Sequence, residues 1–183
     1  TTSFTTSLSG LYNQYNITAA VLLAKSFGLT EEQIIQGLKT FTPAFGRQEV
    51  LTINDKKVEV VLTKNPAGFN QALSTIIKQN CSHLLLVLND RIADGTDVSW
   101  IWDVDFEKLH LLKRLSITVT GDRVYDLALR LKYADLLTRS EENVENAIKQ
   151  ALLQTDNGDI LYILPTYTAM LEVRKILTGK KIL

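Results

Sequence analysis

The chain has 183 residues, 45% of them hydrophobic, enough for one good core with an appended piece. Twenty basic and twenty acidic side chains cancel to a formal net charge of zero, with a pI near 6.7. That balance argues against general nucleic-acid binding, which shows a basic excess or patch. The single cysteine, Cys81, rules out an internal disulfide and fits a reducing compartment. The longest mostly apolar run, Ile17 to Leu23, is too short to cross a bilayer and contains Thr18. Thr1 to Ser7 have neither the charge nor the apolar core of a signal peptide. Cys81, His83 and His110 lack metal-ligand spacing, so no metal site is expected from this chain.

In chain order, Asn13 to Phe27 carry Ile17, Ala20, Val21, Ala24 and Phe27 at helical spacing, with Gly28 as the stop. Thr30-Glu31-Glu32-Gln33 reads as a capping box opening a second helix that runs to about Leu38 or Lys39. Thr42-Pro43-Ala44-Phe45-Gly46 punctuates the pattern and is the candidate domain junction, giving residues 1–43 and 44–183. Strands are expected at Glu49 to Ile53 and Lys57 to Thr63, around an Asn54-Asp55-Lys56 turn. A helix over Ala67 to Lys78 and a buried strand over Leu84 to Leu88 follow. Next come a short helix at Phe106 to Leu112, a strand at Ser116 to Thr120 and an amphipathic helix over Asp122 to Tyr133. The last third reads as a helix from Glu141 to Leu152 capped by Ser140, a strand at Asp159 to Leu164, and a helix over Thr168 to Leu177 closed by Gly179. Strands alternating with helices of this length predict an α/β fold with a mostly parallel sheet flanked by helices.

The segment richest in chemistry follows the buried strand. Asp90 to Glu107 hold six acids and both tryptophans, in a loop at a strand's carboxyl end, where α/β proteins place ligands and chemistry. Carboxylates beside apolar rings lose solvation, which shifts their pKa. Among these acids, Asp103, between Trp102 and Val104, is expected to be buried and structural. Trp100 and Trp102 fit interface anchors and core residues equally. Lys64-Asn65-Pro66 sits where a strand hands over to a helix; its amides could meet an anion, or Asn65 could simply cap the helix. Arg47 reads as a surface partner of Glu49, worth little. Cys81 has no basic neighbour in sequence and reads as an inert thiol. There is no Walker A pattern and no G-x-G-x-x-G.

The order of these segments resembles the Mur ligase family. Gly10-Leu11-Tyr12-Asn13-Gln14-Tyr15-Asn16-Ile17-Thr18-Ala19-Ala20 is similar to the Asn-x-x-Asn-x-x-Ala-Ala helix at the end of the family's central domain. Phe45-Gly46-Arg47-Gln48-Glu49 resembles the start of its C-terminal domain, and Lys64-Asn65-Pro66-Ala67-Gly68 its His-Asn-Pro segment, with lysine in place of histidine. Asp94 to Glu107, with Ser99-Trp100-Ile101-Trp102-Asp103 at its centre, and Pro165 to Leu171 look like the MurT branch, the ligase-like subunits of lipid II isoglutaminyl synthases.

The resemblance implies an ATP- and Mg2+-dependent ligase that amidates the α-carboxylate of D-glutamate in the lipid II stem peptide. Ammonia would come from a GatD-type glutaminase partner, whose Cys-His pair takes an aspartate from this chain. Asp94 is the first choice for that acid, since Gly95 beside it permits close backbone approach, and Asp97 is the second. Asn13, Asn16, Arg47 and Asn65 match nucleotide-lining positions, while Lys64 puts adenine stacking at its own position in doubt. The phosphate loop and a four-cysteine zinc ribbon are expected in upstream sequence, and the setting is bacterial cytoplasm at the inner face of the membrane, in peripheral contact with a membrane-bound substrate. Two other readings stay open: a Mur-type amino-acid ligase with no glutaminase, and a partner-docking α/β module without chemistry.

Overall fold

A computed structural model describes residues 8, 10–41 and 47–179, apart from the Arg47 side chain. Contacts group the chain into two units, Thr1–Ala44 and Phe45–Leu183. The expected junction at 42–46 lies outside the described residues.

The first unit contains α1 (Leu11–Ser26) and α2 (Glu31–Thr40). Gly28 leaves α1 at φ 80, a conformation open to glycine at no steric cost. Thr30 then forms the expected capping box: its hydroxyl accepts from the Gln33 amide (3.3 Å) and its own amide donates to the Gln33 side chain (2.9 Å). Little of this unit is buried. Only Asn13, Val21 and Ile34 are buried among its described residues, while Tyr15, Leu22, Leu23 and Phe27 are exposed.

The second unit is built on β1 (Arg47–Ile53), β2 (Lys56–Val61), α3 (Pro66–Lys78), β3 (His83–Val87), β4 (Ser116–Thr120), α4 (Val124–Tyr133), β5 (Arg139–Ser140), α5 (Val144–Gln154), β6 (Ile160–Pro165) and α6 (Tyr167–Thr178). The six strands run in the order β1-β2-β6-β3-β4-β5, and every neighbouring pair is parallel except β1 with β2. The β1–β2 hairpin turns on Asn54 (φ 48) and Asp55 (φ 64), the positive-φ pair that matches the twist of the flanking strands. Its Glu49 is clamped by Arg174 of α6 through two bonds of 2.6 and 2.7 Å, a long-range partner that the Arg47 reading did not foresee.

Period-two alternation divides the core between the sheet's faces. Leu84, Leu86 and Leu88 pack with Leu73 and Ile76 of α3 and Leu127 and Leu131 of α4. Leu85 and Val87 pack with Ile148 of α5 and Val173 of α6 on the other side. Because β6 lies between β2 and β3, the chain leaves β6 toward one face and leaves β2 and β3 toward the other. That reversal opens a crevice at the strands' carboxyl ends, where such sheets bind ligands.

Two expectations need correction here. Ser140 does not cap a helix: Arg139–Ser140 joins the sheet beside β4 as β5, and α5 starts at Val144. Asn143 is the cap, accepting from the Asn146 amide at 2.9 Å. Ser140 and Asn143 are equally good caps by type, and strand pairing decided between them. Asp103 is exposed rather than buried, because the chain there is a 3-10 turn (Ser99–Asp103) that turns Ile101 inward and the aspartate out.

Glu59 is the misfit of the core. It is 6% exposed, faces Tyr162 across the β2–β6 ladder, and makes no hydrogen bond or ion pair among the described residues. Burial raises its pKa above the ordinary 4.5. An acid whose pKa is higher folded than unfolded is held best in its neutral form. Stability is therefore complete below about pH 4.5 and declines as pH rises through the folded value. Glu59→Gln should raise the melting temperature at pH 7 by a few degrees and leave it unchanged at pH 4, as followed by circular dichroism.

Candidate functional site

Four loops converge at the carboxyl edge of the sheet, and Asn89 bolts three of them together. Only 1% exposed, it donates its amide N–H to the Thr166 hydroxyl (3.0 Å) and its side-chain NH2 to the Thr168 hydroxyl (3.1 Å), and its side-chain oxygen accepts from the Asp122 amide (3.1 Å). Gly121 makes this closeness possible. At φ 103, a Cβ there would lie 2.5 Å from the Leu88 carbonyl oxygen and 2.9 Å from Asn89 Oδ1.

Asp94 extends the network. Its carboxylate accepts from the Thr168 amide (2.8 Å) and from the Thr168 hydroxyl. Thr168 is in the first turn of α6, where backbone N–H groups have no partner within the helix. The local cap, Thr166, gives α6 no side-chain bond, since its hydroxyl is occupied with Asn89. Asp94 therefore serves the helix from a distant loop, with its negative charge at the positive end of the helix dipole. Asp94 is half-buried and Gly95 beside it turns at φ 88.

The other acids of the loop have distinct tasks. Asp97 is exposed and accepts from the Ser99 amide (2.8 Å); the Ser99 amide and hydroxyl hold its carboxyl below the usual carboxylate range. Asp90 pairs with Arg123 (2.7 Å) and Asp105 with Lys108 (2.6 Å). Glu107 pairs with Arg130, which lowers its pKa. Asp103 makes no hydrogen bond or ion pair among the described residues. An outer belt joins Arg91 to Asp122 (2.8 Å) and Glu172 (3.2 Å).

The structure separates the two tryptophans. Trp100 packs against the core, its ring centroid 6.2 Å from that of Phe69. Trp102 is 48% exposed and meets Tyr133 edge-on at 5.4 Å. The buried Arg130 pins the segment from beneath. It donates to the Val104 carbonyl (2.7 Å), and its guanidinium lies over both Trp102 (5.6 Å) and Phe106 (5.4 Å). Between this segment and α4 lies an open depression of about 320 Å³, with Asp97, Ser99, Trp102, Arg123, Asp126 and Leu129 in its wall. Tyr125, Leu129 and Tyr133 continue along the exposed side of α4 at helical spacing.

The expected nucleotide residues are more scattered. Asn65 caps α3, its oxygen accepting from the Gly68 amide at 2.8 Å, so the plain helix-cap reading of this residue holds. Lys64 beside it is exposed. Asn13 is buried on α1, and Asn16, one turn on, is exposed. The Arg47 side chain is outside the described residues. Cys81 is buried, which pushes its thiol up to about 12 and keeps it protonated, as an inert thiol should be. Asn89, Thr168 and Arg130 were not singled out from sequence. Thr168 lies in the Pro165 to Leu171 segment that carried the family resemblance without a role for this residue, and the one hint for Arg130 is its place beside Leu131 on the apolar side of α4.

The fold is that of a Mur ligase C-terminal domain. The chain superposes with a TM-score of 0.69 at 19% identity on the UDP-N-acetylmuramoylalanyl-D-glutamyl-2,6-diaminopimelate–D-alanyl-D-alanyl ligase of Acinetobacter baumannii, covering 97% of this chain and 39% of that one. The Mycobacterium tuberculosis folylpolyglutamate synthase complexed with ADP gives 0.66 at 22% identity, over 96% and 42% of the two chains. Within that class the chain belongs to the MurT ligase C-terminal family, whose model matches residues 62–170. A relative, the lipid II isoglutaminyl synthase (glutamine-hydrolyzing) subunit MurT of Streptococcus pneumoniae, is 39% identical over 178 residues. That alignment takes in 96% of this chain and 40% of the relative, so the chain spans about two-fifths of the relative's length.

Proposed function

We propose that this chain is the glutaminase-facing part of a lipid II isoglutaminyl synthase ligase subunit, and that Asp94 completes the active site of a GatD-type partner. The observation that carries the reading is the seat of Asp94. A thiolate–imidazolium pair needs a third group that fixes the imidazole's tautomer and stabilises its charge, and that group must itself be held. Asp94 receives two bonds from Thr168 and keeps acceptor capacity for an imidazole N–H, since a carboxylate has about four lone-pair sites. Asp97 is second: it is fully exposed and tied only to its own turn. The exposed face made by Trp102, Leu129, Tyr133 and Tyr125 supports a docked partner, since aromatic side chains are frequent interface anchors.

The ligase half of the reading draws on the fold. MgATP, when bound, would supply the phosphoryl group that activates the α-carboxylate of D-glutamate for attack by ammonia. Asn65 spends its oxygen on Gly68 and retains its NH2 donors for a nucleotide, so it fits such a ligand. Arg47, Asn13 and Asn16 are the remaining proposed contacts. We assign residues 1–43 to the end of the family's central domain, which agrees with the exposed apolar side chains of α1. None of the described helices is long and apolar enough to cross a membrane. We propose that the complete subunit works at the inner face of the membrane, in peripheral contact with lipid II.

The test is assembly. The complete ligase subunit is mixed with a GatD-type glutaminase, and glutamate release from glutamine is followed. Turnover should rise at least about tenfold on complex formation, since general acid–base assistance contributes about 10²–10⁴-fold. A stable complex with unchanged turnover would leave only the docking-module reading, and absence of a complex would favour an amino-acid ligase working alone.

A further inference from the structure

At the opposite end of the sheet from the Asp94 site, roughly 15 Å away by the length of a five-residue strand, folding brings together three side chains that are far apart in sequence. His83 opens β3, while Asp156 and Asp159 flank the turn between α5 and β6. One ring nitrogen of His83 and one oxygen from each carboxylate all lie within 4.8 Å of one another. His83 Nε2 is 3.8 Å from Asp159 Oδ2, beyond hydrogen-bond range. The imidazole is only 14% exposed, yet it makes no hydrogen bond among the described residues.

We infer that His83, Asp156 and Asp159 form a binding site for a first-row divalent transition cation such as Zn2+. Ligand atoms about 2.0–2.2 Å from one tetrahedral zinc ion stand roughly 3.3–3.6 Å apart, so the observed spacing closes on a cation with a shift of roughly 1 Å. One imidazole nitrogen with two carboxylates selects zinc, manganese, cobalt or nickel over calcium and magnesium, which prefer all-oxygen shells. The supporting bonds are in place. The Ser82 hydroxyl donates to Asp159 Oδ2 (2.7 Å), the kind of bond that orients a ligating carboxylate. Gly158 at φ 99 closes the turn, and the Asp159 amide donates to the Asp156 carbonyl (3.1 Å). Cys81 is not in the cluster, and its thiol donates to the His83 carbonyl (3.5 Å). A cation here would staple the α5–β6 turn to the start of β3.

The complete subunit is dialysed to equilibrium against a series of buffered ZnCl2 concentrations and its total zinc content is measured alongside His83→Gln, Asp156→Asn and Ser82→Ala. Asp156 is exposed, so its variant keeps the fold. The unmodified protein should take up one zinc equivalent more than either ligand variant, and its melting temperature should rise with zinc only when that equivalent binds. Ser82→Ala should weaken the uptake about tenfold. Equal uptake by the unmodified protein and the Asp156→Asn or His83→Gln variant, or no uptake by any of them, overturns the assignment.

Discussion

Asp94→Asn, made in the complete subunit, should lower glutamine hydrolysis by the assembled complex by about 10²–10⁴-fold, the range set by loss of an orienting acid beside a catalytic histidine. Amidation driven by free ammonia should persist, because the ligase chemistry does not pass through this carboxylate. The substitution also sets an NH2 group against the hydroxyl proton of Thr168, so part of any loss could come from a displaced loop. Two companions separate the effects. Thr168→Val removes the hydroxyl but keeps the backbone donor, and should cost far less turnover while lowering the melting temperature. Asp97→Asn should keep near-full turnover, since Asp97 only closes its own turn onto Ser99. If Asp97→Asn abolishes glutamine hydrolysis and Asp94→Asn does not, the two aspartates exchange roles.

Gly121→Ala should destabilise the fold by about 3 kcal/mol or more, the sum of a positive-φ penalty and a backbone clash. Its φ of 103 is one L-residues rarely adopt, and the new Cβ would meet the Leu88 carbonyl oxygen at 2.5 Å. That carbonyl cannot swing aside, because it accepts from the Arg123 amide (3.0 Å) while the Leu88 amide donates to Thr120. Gly95→Ala is the matched control. It has a similar φ of 88 with nothing within 4 Å of its Cβ, so it should cost only about 1–2 kcal/mol of backbone strain. Urea unfolding of the two variants measures the difference, and equal costs would show that the approach of Gly121 to β3 is not what limits substitution there.

The element order was readable from sequence because burial of a two-faced sheet writes itself as local patterns. Leu84 to Leu88 could be read as a strand, and Thr30 to Gln33 as a capping box, from neighbours within a few residues. Where two good local solutions competed, tertiary pairing chose: Arg139–Ser140 became a strand and Asn143 the cap. The site was readable as a segment but not as an arrangement. Six acids after a buried strand mark a place, yet which of them is seated on a helix start and which lies open depends on residues dozens of positions away.

By itself, the sequence determined the class of fold, the family resemblance and the position of the acidic tryptophan loop, all of which rest on short-range periodicity and contiguous motifs. Only the tertiary structure decided that Trp100 is core and Trp102 surface, that Asp94 is held by Thr168 through a network centred on Asn89, and that His83 meets Asp156 and Asp159. The physical reason is common to all three. Hydrogen bonding, ring packing and ligation need atoms within a few ångströms: β3 and β6, neighbours in the sheet though far apart in the chain, bring Thr168 to Asp94 and Asp159 to His83, and the 3-10 turn at Ser99–Asp103 sends the two tryptophans to different neighbours.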